Sequence, residues 1–365
     1  MNATTPRLFI AATEQNTGKT TTSLGLYAAL RKDFRNIGFI KPVGQRFVAV
    51  EGKQIDEDSV LIRDTFGTEV PLEDMSPIAV EPQFTRRYIN HANNDALVRR
   101  IQHSFDRAAW EKDFAIIEGT GHAGVGSVFD LSNARVASIL KSKVLLVTPA
   151  GIGRPIDEAA LNKALFDKEN VEVIGVVMNK VLPDRMDSIA DIARRGFERL
   201  GLELLGMIPR ERMLAQPTLD QVCDKIRGEF LHGKKRSRKR IDKALIGAVS
   251  SKNILKNVDP DSLLIIPGDR EHAIREVVER SREKDGGPFC GLVLSDDLVP
   301  DGAVMELIRA STLPVISSSL DSYIIASRIH SMTVKTLPGD REKIDRIQSL
   351  VSTHVDIPRI LEKIR

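Results

Sequence analysis

The chain has 365 residues, of which 42% are hydrophobic and 28% charged, with a formal net charge of +3. One hydrophobic core rarely serves so long a chain, so two domains are expected, of ordinary globular composition. The small net charge gives no pointer to nucleic acid; no run is long and apolar enough to cross a membrane, and no cationic-then-apolar leader follows Met1.

In chain order, "RLFIAAT" (Arg7–Thr13) reads as a short strand, and a helical stretch follows from Gly18 to about Lys32. Five more apolar runs come next: "IGFIKPV", "FAIIEGTG", "KVLLVTPAG", "VEVIGVVMNKV" and "LELLGMIPR". Each ends in Gly, Pro or a polar residue. Continuous runs, rather than alternation, suit strands covered on both faces. Amphipathic stretches such as Asp184–Gly201 lie between them. This rhythm predicts a doubly wound, mostly parallel α/β sheet whose ligands bind beyond the carboxyl ends of the strands.

Near Met213–Thr218, Pro217 and polar residues interrupt the pattern. It then restarts, with "KALIGAVS", "DSLLIIPGDR", "PFCGLVLSDD" and "TLPVISS" as strands. Glu271–Glu283, Gly302–Ala310 and Ser322–His330 read as helices, making a second, smaller α/β domain. The basic run "HGKKRSRKRIDK" (His232–Lys243) holds no aromatic residue to stack on bases, so it reads as a solvated loop between domains or elements. Nucleic acid is not an expected partner. Cys223 and Cys290 offer neither a disulfide framework nor metal-ligand spacing. They read as reduced thiols packed as small hydrophobes in a cytoplasmic protein.

The stretch "AATEQNTGKTTT" (Ala11–Thr22) lies between the first strand and the first helix, the context of a phosphate-binding P-loop. Gly18 lets the backbone approach phosphate, Lys19 reaches toward the β- and γ-phosphates, and the Thr20 hydroxyl suits Mg²⁺. The usual spacing asks for Gly at position 13, which is Thr13. Other strand ends supply further parts. Glu118 ends "FAIIE", the way P-loop proteins present a carboxylate to Mg²⁺ or its water. Asp56, Glu57 and Asp58 offer a second carboxylate or an acidic helix start. Lys41 ends a strand and either meets a transferring phosphate or is simply exposed. Asn179 either reads a purine edge or is a polar strand terminus.

On these residues the sequence resembles the dethiobiotin synthetase group of P-loop proteins. The nearest likeness is to the version forming the N-terminal region of long phosphotransacetylases, through "EGTGHAGVGSVFDLSNARVA" and "GIGRPIDEAALNKALF". The resemblance implies that the first glycine belongs one residue earlier, at Ala12, a mild change where φ is negative. It implies an ATP cradle of Gln15, Asn16, Thr17, Gly18, Lys19, Thr20 and Thr21, with Asn179 reading the base. It further implies Mg²⁺ at Thr20, Asp58 and Glu118, and catalytic roles for Lys19, Lys41 and Glu118. "EPQFTRRYI" does not reproduce the substrate pocket of that group; Arg86 and Arg87 either receive an anionic substrate or are surface charges.

The second half resembles the DRTGG domain. "PGDREHAI" supplies Asp269-Arg270, while "LVLSDDL", with Ser295, Asp296 and Asp297, stands in place of the later half of that motif. The domains are therefore expected at 1–213 (dethiobiotin synthetase-like, nucleotide-binding) and 214–365 (DRTGG-like, ligand-sensing). A homodimer is expected from the resemblance, and no acetyl-transferring domain lies within the matched span. The functional expectation is a Mg-ATP-binding P-loop ATPase, weak or partner-stimulated, regulated through a sensor of a small-molecule metabolite. The alternatives are an ATP-dependent carboxylate or carbamate ligase, and a non-catalytic scaffold with a vestigial P-loop. Phosphotransacetylase activity by the chain alone is not expected.

Overall fold

The computed structural model describes residue 2 and residues 4–247, 258–282 and 289–365. The chain divides into two compact units: residues up to Glu211 together with Thr336–Arg365, and Arg212–Lys335.

Six of the apolar runs form one parallel sheet in the first unit. They are β1 (Arg7–Ala12), β2 (Ile37–Ile40), β3 (Phe114–Glu118), β4 (Lys143–Pro149), β5 (Val173–Val181) and β6 (Leu204–Pro209). Their order across the sheet is β6-β5-β4-β1-β3-β2. Every residue of β1, β2 and β3 is buried, which is why these segments are continuous apolar runs rather than alternating ones. The chain runs from β1 outward to β2, back to β3 beside β1, and then to β4 on the other side of β1. That reversal opens a crevice at the carboxyl end of β1.

Helices link the strands: α1 (Lys19–Leu30), α2 (Glu57–Phe66), α3 (Asn94–Ala108), α4 (Arg154–Lys168) and α5 (Met186–Glu198). In α3, Ile101, Phe105 and Ala108 lie on one buried stripe, and the Asn93 side chain caps the helix by accepting from Ala96 N.

In the second unit, α6 (Leu219–Ile226) precedes a five-stranded sheet. Its strands are β7 (Glu229–His232), β8 (Lys243–Ile246), β9 (Ser262–Pro267), β10 (Gly291–Ser295) and β11 (Val315–Ser317). The order is β7-β11-β10-β9-β8, parallel except for the antiparallel edge strand β7. Among the described residues of this unit are also the helices α7 (Glu271–Arg280), α8 (Gly302–Arg309) and α9 (Ser322–His330). Leu264, Ile266, Leu292 and Leu294 pack with α7 and α8 on one face, while Leu263, Ile265 and Val293 pack with α6 and α9 on the other. Of the expected elements, the ends of "KALIGAVS" and of Glu271–Glu283 and the start of "PFCGLVLSDD" lie outside the described residues.

Of the two placements read for the basic run, between domains or between elements, the structure shows the second: the run connects β7 to β8 inside the second unit, with a short 3-10 turn at Lys234–Arg236. Ser237, in its middle, is buried and donates to Asp220 Oδ2 at 2.6 Å. The tail assigned by sequence to the second domain packs instead in the first unit, as α10 (Arg341–His354) and α11 (Ile357–Ile364). Helix α10 lies against α1 and β6. A side chain at Gly25 would meet Val351 Cγ2 at 2.3 Å, so glycine permits the close approach of α10 to α1.

Candidate nucleotide and cation site

The carboxyl ends of the central strands bring the P-loop and its expected partners together. After β1 the chain turns through Glu14–Thr17 and enters α1 at Gly18, which takes φ +110. A Cβ at Gly18 would stand 2.0 Å from Asn179 Nδ2, so both backbone and space require glycine. No side chain caps the N-terminus of α1, the end of a helix that favours an anion. Ala12, the departure from the family pattern, lies in extended β1 and does not take a positive φ. A methyl group there needs no strained backbone, which answers the question raised by the missing glycine.

Several side chains hold this loop in place. Asn179 Nδ2 donates to Thr17 O at 2.8 Å, and Asn179 Oδ1 accepts from Lys180 N at 2.8 Å. Lys180 Nζ donates to Asn16 O at 2.6 Å. Burial, with Arg210 nearby, lowers the Lys180 pKa. Arg154, at the start of α4, reaches Glu14 at 2.7 Å. Asn179 therefore braces the loop. This bracing, and the parts played by Lys180 and Arg154, had no signal in the sequence, because their partners are more than a hundred residues away in the chain. Gln15 and Asn16 are exposed, whereas Thr17 is buried and Thr21 lies in the first turn of α1.

Lys19 is buried and its Nζ donates to Gly121 O at 3.0 Å, in the loop after β3. Thr20 Oγ1 donates to Glu118 Oε1 at 3.0 Å. Lys41, just beyond β2, is buried among three acids: Asp56 Oδ1 at 3.2 Å, Glu118 Oε1 at 3.4 Å, and Asp58 Oδ2 in direct contact. Asp56 and Asp58 arrive on the start of α2, where Asp56 is the N-cap and accepts from Asp58 N at 2.9 Å. Lys41, Asp58, Glu118 and Thr20 are thus brought to one place, and Asp56 joins them. The acidic cluster in "QIDEDS" was its only trace in the sequence.

Burial pulls the Lys41 pKa down, but Asp58, Glu118 and Asp56 pull it further up, leaving it well above the usual lysine value. Burial pushes the Glu118 carboxyl above the usual carboxylate range, while Lys41 draws it back. Glu118 Oε2 is buried with no hydrogen-bond partner among the described residues. That orphaned oxygen, with the Thr20 hydroxyl and Asp58, makes a hard-oxygen donor set of the kind that suits Mg²⁺. The residues fit the cation.

Arg86 and Arg87 do not reach this cluster through any described ion pair. Arg87 pairs with Glu81 at 2.9 Å, and Arg86 borders an open concavity of about 600 Å³ with Pro82, Gln83, Thr85, Ile89 and Asn90. In the second unit, Asp269-Arg270 and Ser295–Asp297 occupy the carboxyl ends of neighbouring strands β9 and β10. Asp296 and Asp297 both take positive φ, and Ser295 Oγ donates to Asp296 Oδ2 at 2.6 Å. Both cysteines are free and buried, and burial pushes the Cys223 thiol up to about 11 and the Cys290 thiol up to about 12.

Comparison with known proteins agrees with this division. Residues 6–218 match the family model AAA_26, an AAA domain, and residues 221–332 match the DRTGG domain. Curated relatives include the phosphate acetyltransferase of Pseudomonas aeruginosa, 28% identical over 95% of this chain and 50% of that protein. The phosphate acetyltransferase of Synechocystis sp. is 25% identical over 99% of this chain and 52% of that protein. The chain spans about half the length of the curated relatives it matches. Among solved structures, it is similar to the MinD cell division protein of Aquifex aeolicus (TM-score 0.35, 16% identity, 57% of this chain and 84% of that one). It is also similar to the CBS and DRTGG domains of Clostridium perfringens pyrophosphatase (TM-score 0.28, 17% identity, 48% of this chain and 86% of that one). The parallel sheet, the P-loop turn and the family match lead to one conclusion: the chain belongs to the AAA_26 family, as a P-loop domain joined to a DRTGG domain.

Proposed function

We propose that the chain binds Mg-ATP at the P-loop, with weak or partner-stimulated ATPase activity, and that its DRTGG domain senses a small metabolite. The observation that carries this reading is the convergence of Lys19, Thr20, Lys41, Asp58 and Glu118 at the carboxyl ends of adjacent strands. In this role Gln15–Thr21 cradle the phosphates, and Thr20, Asp58 and Glu118 hold Mg²⁺. When bound, Mg²⁺ neutralises charge on the β- and γ-phosphate oxygens. Lys19 and Lys41 offer ammonium charge to the same oxygens, and Asn179, which also braces the loop, faces the base. The protein acts in the cytoplasm as a homodimer.

The names of the relatives direct the search for the sensed ligand toward acetyl and phosphate compounds. A regulatory part in acetyl transfer, without the transfer chemistry itself, is consistent with those names. The ligase alternative is weaker, because Arg87 is already paired with Glu81 and Arg86 borders only an open concavity. Calorimetry of Mg-ATP binding, with phosphate release on the same preparation, tests the reading. Binding with slow release supports it. Absence of ATP binding would overturn it in favour of a vestigial P-loop.

A further inference from the structure

The Lys41 ammonium stands among the oxygens that a divalent cation would need. It contacts Asp58 Oδ2 and lies 3.2 Å from Asp56 Oδ1 and 3.4 Å from Glu118 Oε1. The Thr20 hydroxyl donates to that same Glu118 oxygen at 3.0 Å. Lys41, Asp56, Asp58 and Glu118 are at most 6% exposed, so water does little to screen them. Mg²⁺ binds such oxygens at about 2.0–2.1 Å, so on Asp58 Oδ2 and Glu118 Oε1 it would compete with the ammonium for the same lone pairs, while Glu118 Oε2 has no partner among the described residues. Two cations so close in a buried site also repel strongly.

We propose that Lys41 is a built-in counter-ion for the Asp56–Asp58–Glu118 cluster, and that a divalent cation enters only with a polyphosphate that draws the Lys41 ammonium off Asp58 and Glu118. Asp56 is the fixed end of this exchange. Its side chain caps α2 through Asp58 N, so it cannot follow a departing ion, and it keeps one carboxylate oxygen beside Lys41. Asp58 and Glu118 are the acids released. The protein without nucleotide is consequently closed to free Mg²⁺, and cation and polyphosphate enter together. The second half of this inference rests on the Mg-ATP reading; the counter-ion role does not.

The test is Mn²⁺ binding to the full chain without nucleotide, followed by the electron paramagnetic resonance signal of free Mn²⁺. Lys41→Gln removes this ammonium from the buried carboxylates and is expected to bind Mn²⁺ about ten-fold or more tightly than wild type. Equal or weaker binding by a folded Lys41→Gln protein would overturn the proposal. Should that variant not fold, wild type decides through the carbon-13 signals of its lysine side chains. The Lys41 signal is expected to stay in place with Mg²⁺ alone and to shift with Mg²⁺ and tripolyphosphate. A shift with Mg²⁺ alone, or none with tripolyphosphate, overturns it. The Mn²⁺ arm contains no nucleotide, so failure of ATP to bind sinks the proposed function and leaves the counter-ion role to its own readout.

Discussion

At Lys19 the chemistry rests on one ammonium held by a backbone carbonyl, Gly121 O, in the loop after β3. In the proposed site this ammonium makes a charge-assisted hydrogen bond to phosphate, so Lys19→Ala should weaken Mg-ATP binding by about 1.5–3 kcal/mol in calorimetry. Unchanged affinity would mean that the phosphates bind elsewhere. Lys41 has a pH signature. Its pKa is raised above the ordinary 10.5, so its contribution to stability is complete below that pH and is lost only as pH rises through the still higher folded value. Thermal melts of wild type between pH 8 and 10 should therefore show no loss attributable to Lys41, whereas Lys41→Met should be less stable than wild type throughout that range. The two thiols, with values pushed up to about 11 and about 12, carry almost no thiolate at neutral pH. Iodoacetamide should label Cys223 and Cys290 slowly in the native protein and quickly after unfolding; fast native labelling would contradict their burial.

The contact between α1 and α10 gives the sharpest test at the scale of elements. Gly25 has room for α10 only because it lacks a side chain, with Val351 Cγ2 2.3 Å from where a Cβ would be. Gly25→Ala should therefore destabilise the first unit by about 1–3 kcal/mol through overpacking, despite the better helix propensity of Ala. Combining it with Val351→Ala should relieve part of that loss, a non-additivity measurable by denaturant titration. Simple additivity would show that the two helices are not in contact. Because α1 begins at the P-loop lysine, the same variants report whether α10 steadies the P-loop turn.

For the whole molecule, the division of the chain makes a prediction that its linear order hides. The second unit is bounded on both sides by segments of the first. The returning helices bury Ile344, Ile347, Leu350, Val351, Ile357 and Ile360. At about 1.5–3 kcal/mol for each buried side chain, their burial is on the order of 10 kcal/mol, comparable to the whole stability of a domain. Ending the chain after Lys335 should therefore abolish cooperative unfolding of the P-loop unit and its nucleotide binding. The second unit, whose sheet and helices lie within 212–335, should keep its own transition in calorimetry.

How much was legible in the sequence varied with how local each cause was. Strands β1 to β5 were readable because burial on both faces leaves an unbroken apolar run, a property of each segment alone. The P-loop was readable because its backbone demands Gly18 and α1 begins beside it at Lys19, all within one turn. Edge strand β7 was not legible, since its residues are only partly covered and carry no such run. Nor was the bracing of Thr17 by Asn179, more than 160 residues away in sequence, or the meeting of Asp56 with Lys41. The return of α10 to α1 was hidden as well, because an amphipathic helix announces that it will bury a face but not against which partner. Sequence by itself determined the fold class, the family and the position of the P-loop turn, all of which follow from local backbone and burial. Only the tertiary structure decided which carboxylates surround Lys41 and which unit the last helices complete, because packing joins residues that no local pattern connects.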